Sequence, residues 1–103
     1  MKYKVYLSGK MSGVDEKIWR QRFNSAEIDV RKCGFDVVNP ANTLIARHKW
    51  LFWLIGYRLT LWFDLQLLRR CHYIRMVDDE WQHSRGARLE RMKAAKWNIP
   101  IVG

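Results

Sequence analysis

Acidic residues are scarce in this chain. Ten Asp and Glu stand against 19 Lys and Arg in 103 residues, a formal net charge of +9. That excess fits a nucleic-acid footprint, a funnel for an anionic small molecule, or a solubilising surface, and alone excludes none of them. Cysteine is limited to Cys33 and Cys71, too few for a disulfide-stapled scaffold or a four-thiolate zinc site, so two free buried thiols are expected. Proline occurs twice, and no segment reads as a linker, repeat or low-complexity tract. Long apolar runs are missing too. The most apolar stretch, Trp50-Leu51-Phe52-Trp53-Leu54-Ile55-Gly56-Tyr57, is far shorter than the about 20 residues a membrane span needs. The opening Met1-Lys2-Tyr3-Lys4-Val5-Tyr6-Leu7 has too short an apolar run for a signal peptide, and a cytoplasmic protein away from the membrane is expected. What the chain does have is 49% hydrophobic residues and six Trp, four Tyr and four Phe, the composition of a globular protein with large side chains in a thin core or at an interface. Its length predicts one domain over residues 1–103.

Hydrophobic spacing orders the chain as β-α-β-α-β-α-β. Residues 2–8 are β-prone and stop at Ser8-Gly9. After the loop Lys10-Met11-Ser12-Gly13, Asp15 and Glu16 open a helix, where acids suit the positive end of the dipole. Ile18, Trp19, Phe23, Ala26 and Val30 keep helical spacing, and Gly34 is a fitting C-cap. Residues 35–39 predict a second strand, closed by Pro40. Residues 44–70 predict a second helical region, broken near Gly56, and residues 73–77 a third strand. A helix over 84–96, N-capped by Ser84, and a fourth strand over 99–102 complete the order. Such an order implies a parallel sheet with helices on its faces, whose ligands bind beyond the carboxyl ends of the strands. The loops after Leu7, Val38 and Val77 are therefore the expected functional ones.

The first of these loops has two glycines for close backbone approach and amides directed toward the next helix, which suits an anion. A plain βα turn fits it equally, since neither the P-loop nor the dinucleotide fingerprint is present. On the third helix Ala87, Glu90, Ala94 and Trp97 fall at i, i+3, i+7 and i+10, one face of a helix. Glu90 is then a carboxylate in an apolar stripe, which must be paired, protonated or functional. A position at the stripe's edge, paired with Arg88, Arg91 or Lys93, is the structural alternative. Asp64 interrupts a second stripe with Leu61, Leu65 and Leu68. Two such acids near one sheet edge form a carboxylate pair fit for glycosidic chemistry, unless each caps or pairs locally. Asp78-Asp79-Glu80 reads as a solvated loop, and His48, His72 and His83 lack metal-ligand spacing. No metal or other cofactor is expected.

Taken in order, Val5-Tyr6-Leu7-Ser8-Gly9-Lys10-Met11-Ser12-Gly13, Phe35-x-Val37-Val38-Asn39-Pro40-Ala41, Asp64-Leu65-x-x-Leu68 and Trp81-x-x-Ser84-x-Gly86-Ala87-x-x-Glu90 resemble the nucleoside 2-deoxyribosyltransferase-like superfamily over nearly the whole chain. Within it the nearest resemblance is to a small bacterial and phage domain family of unproven function. The fold expected is α/β, a parallel sheet of four strands, or five, in a flavodoxin- or Rossmann-like three-layer α/β/α arrangement. The resemblance further implies the chemistry of 2-deoxyribosyltransferases and 2-deoxynucleoside 5'-monophosphate N-glycosidases. In that chemistry Glu90 attacks the anomeric carbon of deoxyribose, Asp64 positions the sugar or serves acid/base steps, and Tyr6 lies beside the nucleophile. Ser84 matches a serine that holds a 5'-phosphate, and Gly9, Ser12 and Gly13 match the loop that wraps the nucleotide. Ser8 and Gly86 are counted with them in substrate or phosphate binding.

The function these residues imply is binding a nucleoside or nucleotide and cleaving or transferring its N-glycosidic bond through Glu90. A non-catalytic nucleotide-binding module with the same pocket is the first rival. A small basic nucleic-acid-binding protein is the second, ranked last because the sequence offers no reading motif or exposed aromatic platform. Members of the superfamily assemble into dimers or larger forms, and residues 50–62, from Trp50 to Trp62, hold more Trp, Phe and Leu than so small a domain can bury. A homodimer through this stretch is expected.

Overall fold

A computed structural model describes residues 2–11, 13–40 and 56–102. At its centre lies β1 (Lys4–Ser8), with β2 (Asp36–Val38) on one side and β3 (Tyr73–Met76) on the other, both parallel to it. Tyr6 stands opposite Val38 in one register and Ile74 in the other. The helices are α1 (Glu16–Lys32), α2 (Tyr57–Arg69) and α3 (Arg85–Lys96), and a short 3-10 turn (Asp79–His83) precedes the last. Among the described residues this is a mixed α/β fold with a three-stranded parallel sheet and three helices.

Alternation along β1 divides the core in two. Val5 and Leu7 pack with Phe23, Ala26 and Val30 of α1 on one face of the sheet. Tyr6, on the opposite face, packs with Leu68 of α2, Ile74 and Ala94 of α3. Residues 5 to 8 are buried because both faces of the strand are covered. Each fully buried Leu, Val or Phe contributes about 1.5–3 kcal/mol of transfer free energy. Leu7, Phe23 and Leu68 are therefore the points at which truncation would cost most.

The helix ends follow the chemistry the sequence carries. Asp15 caps α1 by accepting from the Lys17 amide at 2.9 Å, and Ser84 caps α3 by accepting from the Ala87 amide at 3.2 Å. Gly34 follows α1 at φ +89°, and Gly56, also at φ +89°, directly precedes α2; residues 44–55 of the expected second helical region lie outside the described residues.

Some expectations are corrected. Residues 99–102 do not form a fourth strand. They make an isolated parallel bridge between Ile101 and Ile74, in which the Ile74 amide donates to the Pro100 carbonyl and the Val102 amide to the Ile74 carbonyl. Pro100 has no N–H to extend a ladder. Ile18 keeps helical spacing yet is 45% exposed, because α1 turns Phe23, Ala26 and Val30 to the sheet instead. Cys71 is buried as expected, but Cys33, at the C-cap of α1, is exposed. Arg75, a charge within a strand, reaches the surface and pairs with Asp29 of α1 at 3.6 Å. Among the described residues no helix is long and apolar enough to cross a membrane.

Candidate active site

A cleft of about 440 Å³ opens at the carboxyl ends of the strands. Each crossover contributes to its wall: Gly9, Lys10 and Met11 after β1, Pro40 after β2, and His83 to Ala87 after β3. Leu61 and Asp64 of α2 and Glu90 of α3 complete it. These are the three loops the strand order singled out.

Glu90 reaches the cleft because α3 lies close to the sheet. Ala87 and Ala94, one turn to either side of it, are buried at 1% and 0% exposure, and so small a pair of side chains lets the helix approach β1. The carboxylate is 6% exposed. Tyr6 and Ser8 point to the same side of β1, two residues apart, and both donate to it. The Tyr6 hydroxyl donates to Oε2, and the Ser8 hydroxyl to Oε1 at 2.8 Å. Both donors are fully buried. The arrangement is layered: two hydroxyls behind, one carboxylate in the middle, the cleft in front.

The electrostatics follow from this burial. Desolvation lifts the Glu90 carboxyl to about 7, against the pull of the two hydrogen bonds, which favour its anion. Asp64 is pushed up to about 8, chiefly by burial and then by the negative charge of Glu90. Burial and the Glu90 carboxylate also raise the Tyr6 phenol well above its ordinary value, so it remains a protonated donor. Asp64 receives no hydrogen bond from the described residues, whereas Glu90 receives two. Near neutral pH the first negative charge therefore settles on Glu90, and the proton stays on Asp64.

One family model matches the chain, over residues 3–103, and is described as Domain of unknown function (DUF4406). The chain belongs to this family. No curated protein and no solved structure matches it. What the DUF4406 domain does must therefore be argued from the cleft itself.

The nine residues singled out by sequence divide into groups. Glu90, Asp64, Gly9, Ser84 and Gly86 line the cleft. Tyr6 and Ser8 lie behind it, and Ser8 supports Glu90 where direct substrate contact was expected. Gly9 is fixed by packing as much as by any ligand, since a Cβ there would sit 2.3 Å from Val77 Cγ2. Gly13, at φ +77°, borders a neighbouring depression with Lys10, Arg22 and His83. Ser12 lies outside the described residues. Lys10, His83 and Arg85, outside those nine, also bring positive charge or a titratable ring to the wall. Their signal was present, since all three sit in or beside loops already marked as functional. Among the described residues no three His, Cys, Asp or Glu side chains converge as metal ligands.

Proposed function

We propose that this chain cleaves or transfers the N-glycosidic bond of a 2'-deoxynucleoside, preferring its 5'-monophosphate, with Glu90 as nucleophile. The observation that carries this reading is a buried carboxylate held from behind by two hydroxyl donors, with a second carboxyl, Asp64, lining the same cleft. In the first step a Glu90 oxygen bonds to C1' of the sugar as the C1'–N bond breaks, and Asp64 gives its proton to the departing base. The product is a glycosyl ester on Glu90. In the second step the Asp64 carboxylate takes a proton from water, and the water oxygen displaces Glu90 at C1'. Two inversions give net retention, and a second base in place of water gives transfer.

Lys10, Arg85 and the amino end of α3 at the cleft wall favour an anionic group on the substrate, which is the basis for preferring the monophosphate. The ordered motifs of the sequence support membership of the nucleoside 2-deoxyribosyltransferase-like superfamily. The strand order β2-β1-β3, with the Ile101 bridge beyond β3, supports a flavodoxin-like arrangement. Leu59, Trp62 and Phe63 on α2 are 52%, 56% and 39% exposed, and they support a homodimer through this helix. The remainder of the expected interface, residues 50–55, lies outside the described residues.

The test is incubation with a panel of deoxynucleosides and their 5'-monophosphates, with free base followed by chromatography. Wild type releases base. Glu90→Gln releases none while retaining nucleotide-induced thermal stabilisation. An undiminished rate in Glu90→Gln overturns the assignment, and stabilisation without turnover in the wild type identifies a binding module instead. Elution as a monomer at micromolar concentration overturns the dimer.

A further inference from the structure

We propose that the exposed stripe of α3 and the groove beyond its carboxyl end bind single-stranded nucleic acid. This inference needs no part of the glycosidic reading. It rests first on where the charges lie. All ten carboxylates fall within the described residues; α2 holds only Asp64 and α3 only Glu90, and both face the cleft. The other eight belong to α1, β2 and the loops, where Glu16, Glu27, Asp29, Asp78 and Glu80 are paired with arginines. In contrast Arg69, Arg70, Arg88, Arg91, Lys93 and Lys96 form no ion pair with the described residues. Among the described residues α2 and α3 therefore carry these cations with no neutralising carboxylate outside the cleft.

Arg85, Arg88, Met92 and Lys96 fall at i, i+3, i+7 and i+11, and all four are exposed. Arg85 and Arg88, at i and i+3, repel along the helix, and no carboxylate is interposed on the stripe to relieve them. A polyanion laid along the stripe would do so. Beyond the carboxyl end of α3 the stripe meets a groove of about 590 Å³ lined by Tyr3, Arg69, His72, Tyr73, Trp97 and Asn98. This groove lies at the amino ends of β1 and β3, away from the cleft. The Arg69 guanidinium sits over the Trp97 ring at 5.6 Å, and Tyr3, 52% exposed, meets His72 and Tyr73 edge to face. Arg91 stacks on Trp81 at 4.1 Å.

A line of unneutralised cations leading to aromatic rings is the chemistry that grips phosphates and stacks unpaired bases. A duplex offers few free base faces for such rings, and a single strand offers every one. No carboxylate lines the groove among the described residues, and Asp36, in β2, stands opposite Lys4 in the sheet register. Tyr3, Tyr73 and Trp97, far apart along the chain, thus come together in the lining of one groove.

The experiment is fluorescence anisotropy of the full chain with fluorescein-labelled (dT)12 and (rU)12 at 50 and 200 mM salt, with poly-L-glutamate as an anionic competitor. Contact with about three phosphates weakens binding roughly tenfold to twentyfold across that salt range. The double variant Arg88→Glu/Lys96→Glu weakens binding at least tenfold and flattens the salt dependence. Tyr3→Ala weakens it about fivefold or more with the salt dependence retained. The control Lys17→Glu/Lys32→Glu, two exposed positions on α1, binds as wild type. Binding of either oligomer in this pattern supports the proposal. It is overturned if neither oligomer binds at 50 mM salt, if the α1 control loses as much affinity as the α3 variant, or if poly-L-glutamate competes as well as the oligonucleotides, which would mark an acidic polypeptide as the partner.

Discussion

Replacing Tyr6 by Phe removes one hydroxyl from the back of the cleft and leaves the aromatic ring in the core. The lost interaction is a hydrogen bond from a fully buried phenol to a buried carboxylate. Bonds of that kind, to a charged partner, contribute about 1.5–3 kcal/mol. The bond favours the anion of Glu90, so its loss raises the Glu90 carboxyl by about one to two pH units, at roughly 1.4 kcal/mol per unit. From a starting point of about 7, the group would then titrate near about 8 to 9. At pH 7 the ionised fraction would fall from about half to about a tenth or less. The assay is NMR titration of the Glu90 side-chain carboxyl carbon in wild type and variant, which needs no assumption about activity. If base release proceeds through the ionised carboxylate, its acid limb moves by the same interval. A Glu90 that titrates in Tyr6→Phe at or below its wild-type midpoint would falsify the layered arrangement as an account of its electrostatics.

Other consequences are accessible to simple measurements. Glu90 and Asp64 hold their protons more tightly in the folded chain than at their ordinary values of 4.5 and 3.8. Their contribution to stability is therefore complete below about pH 4 and is lost as pH rises through about 7 to 8, by a few kcal/mol. Urea midpoints should fall between pH 5 and pH 8, and Asp64→Asn should flatten that decline; an unchanged slope in the variant refutes the coupling. Gly9→Ala places a methyl group 2.3 Å from Val77 Cγ2 and should destabilise by about 1–3 kcal/mol, with part recovered in the Gly9→Ala/Val77→Ala double variant. Thermal melts in which the two changes are simply additive would show that this contact is not the cause.

The parts of the fold legible in sequence were those set by local periodicity and caps. Glu90 among alanines marks itself, because helical spacing alone tells that a carboxylate shares a face with residues too small to be anything but packed. Ser84 and Gly34 mark helix ends for equally local reasons. Partners set by register were not legible: that Ser8 donates to Glu90 depends on how β1 sits beneath α3, 82 positions away. The last segment shows the limit of pattern reading in another way. Ile99, Ile101 and Val102 have the composition of a strand, but one missing amide at Pro100 leaves a bridge in its place. Charge segregation was legible along α3, where Arg85, Arg88, Arg91, Lys93 and Lys96 crowd one helix, but not beyond it. Arg69 and Lys96 are distant in sequence, and only the packing of α2 against α3 brings their positive charge onto one surface.

The two hydroxyls behind Glu90 have a consequence for direction. Each carboxylate oxygen already accepts from a fully buried donor on its inner side, so its remaining lone pairs are left for the cleft. A molecule that enters the cleft meets a carboxylate whose orientation is already set by the core, and the protein has no turning of that group left to do.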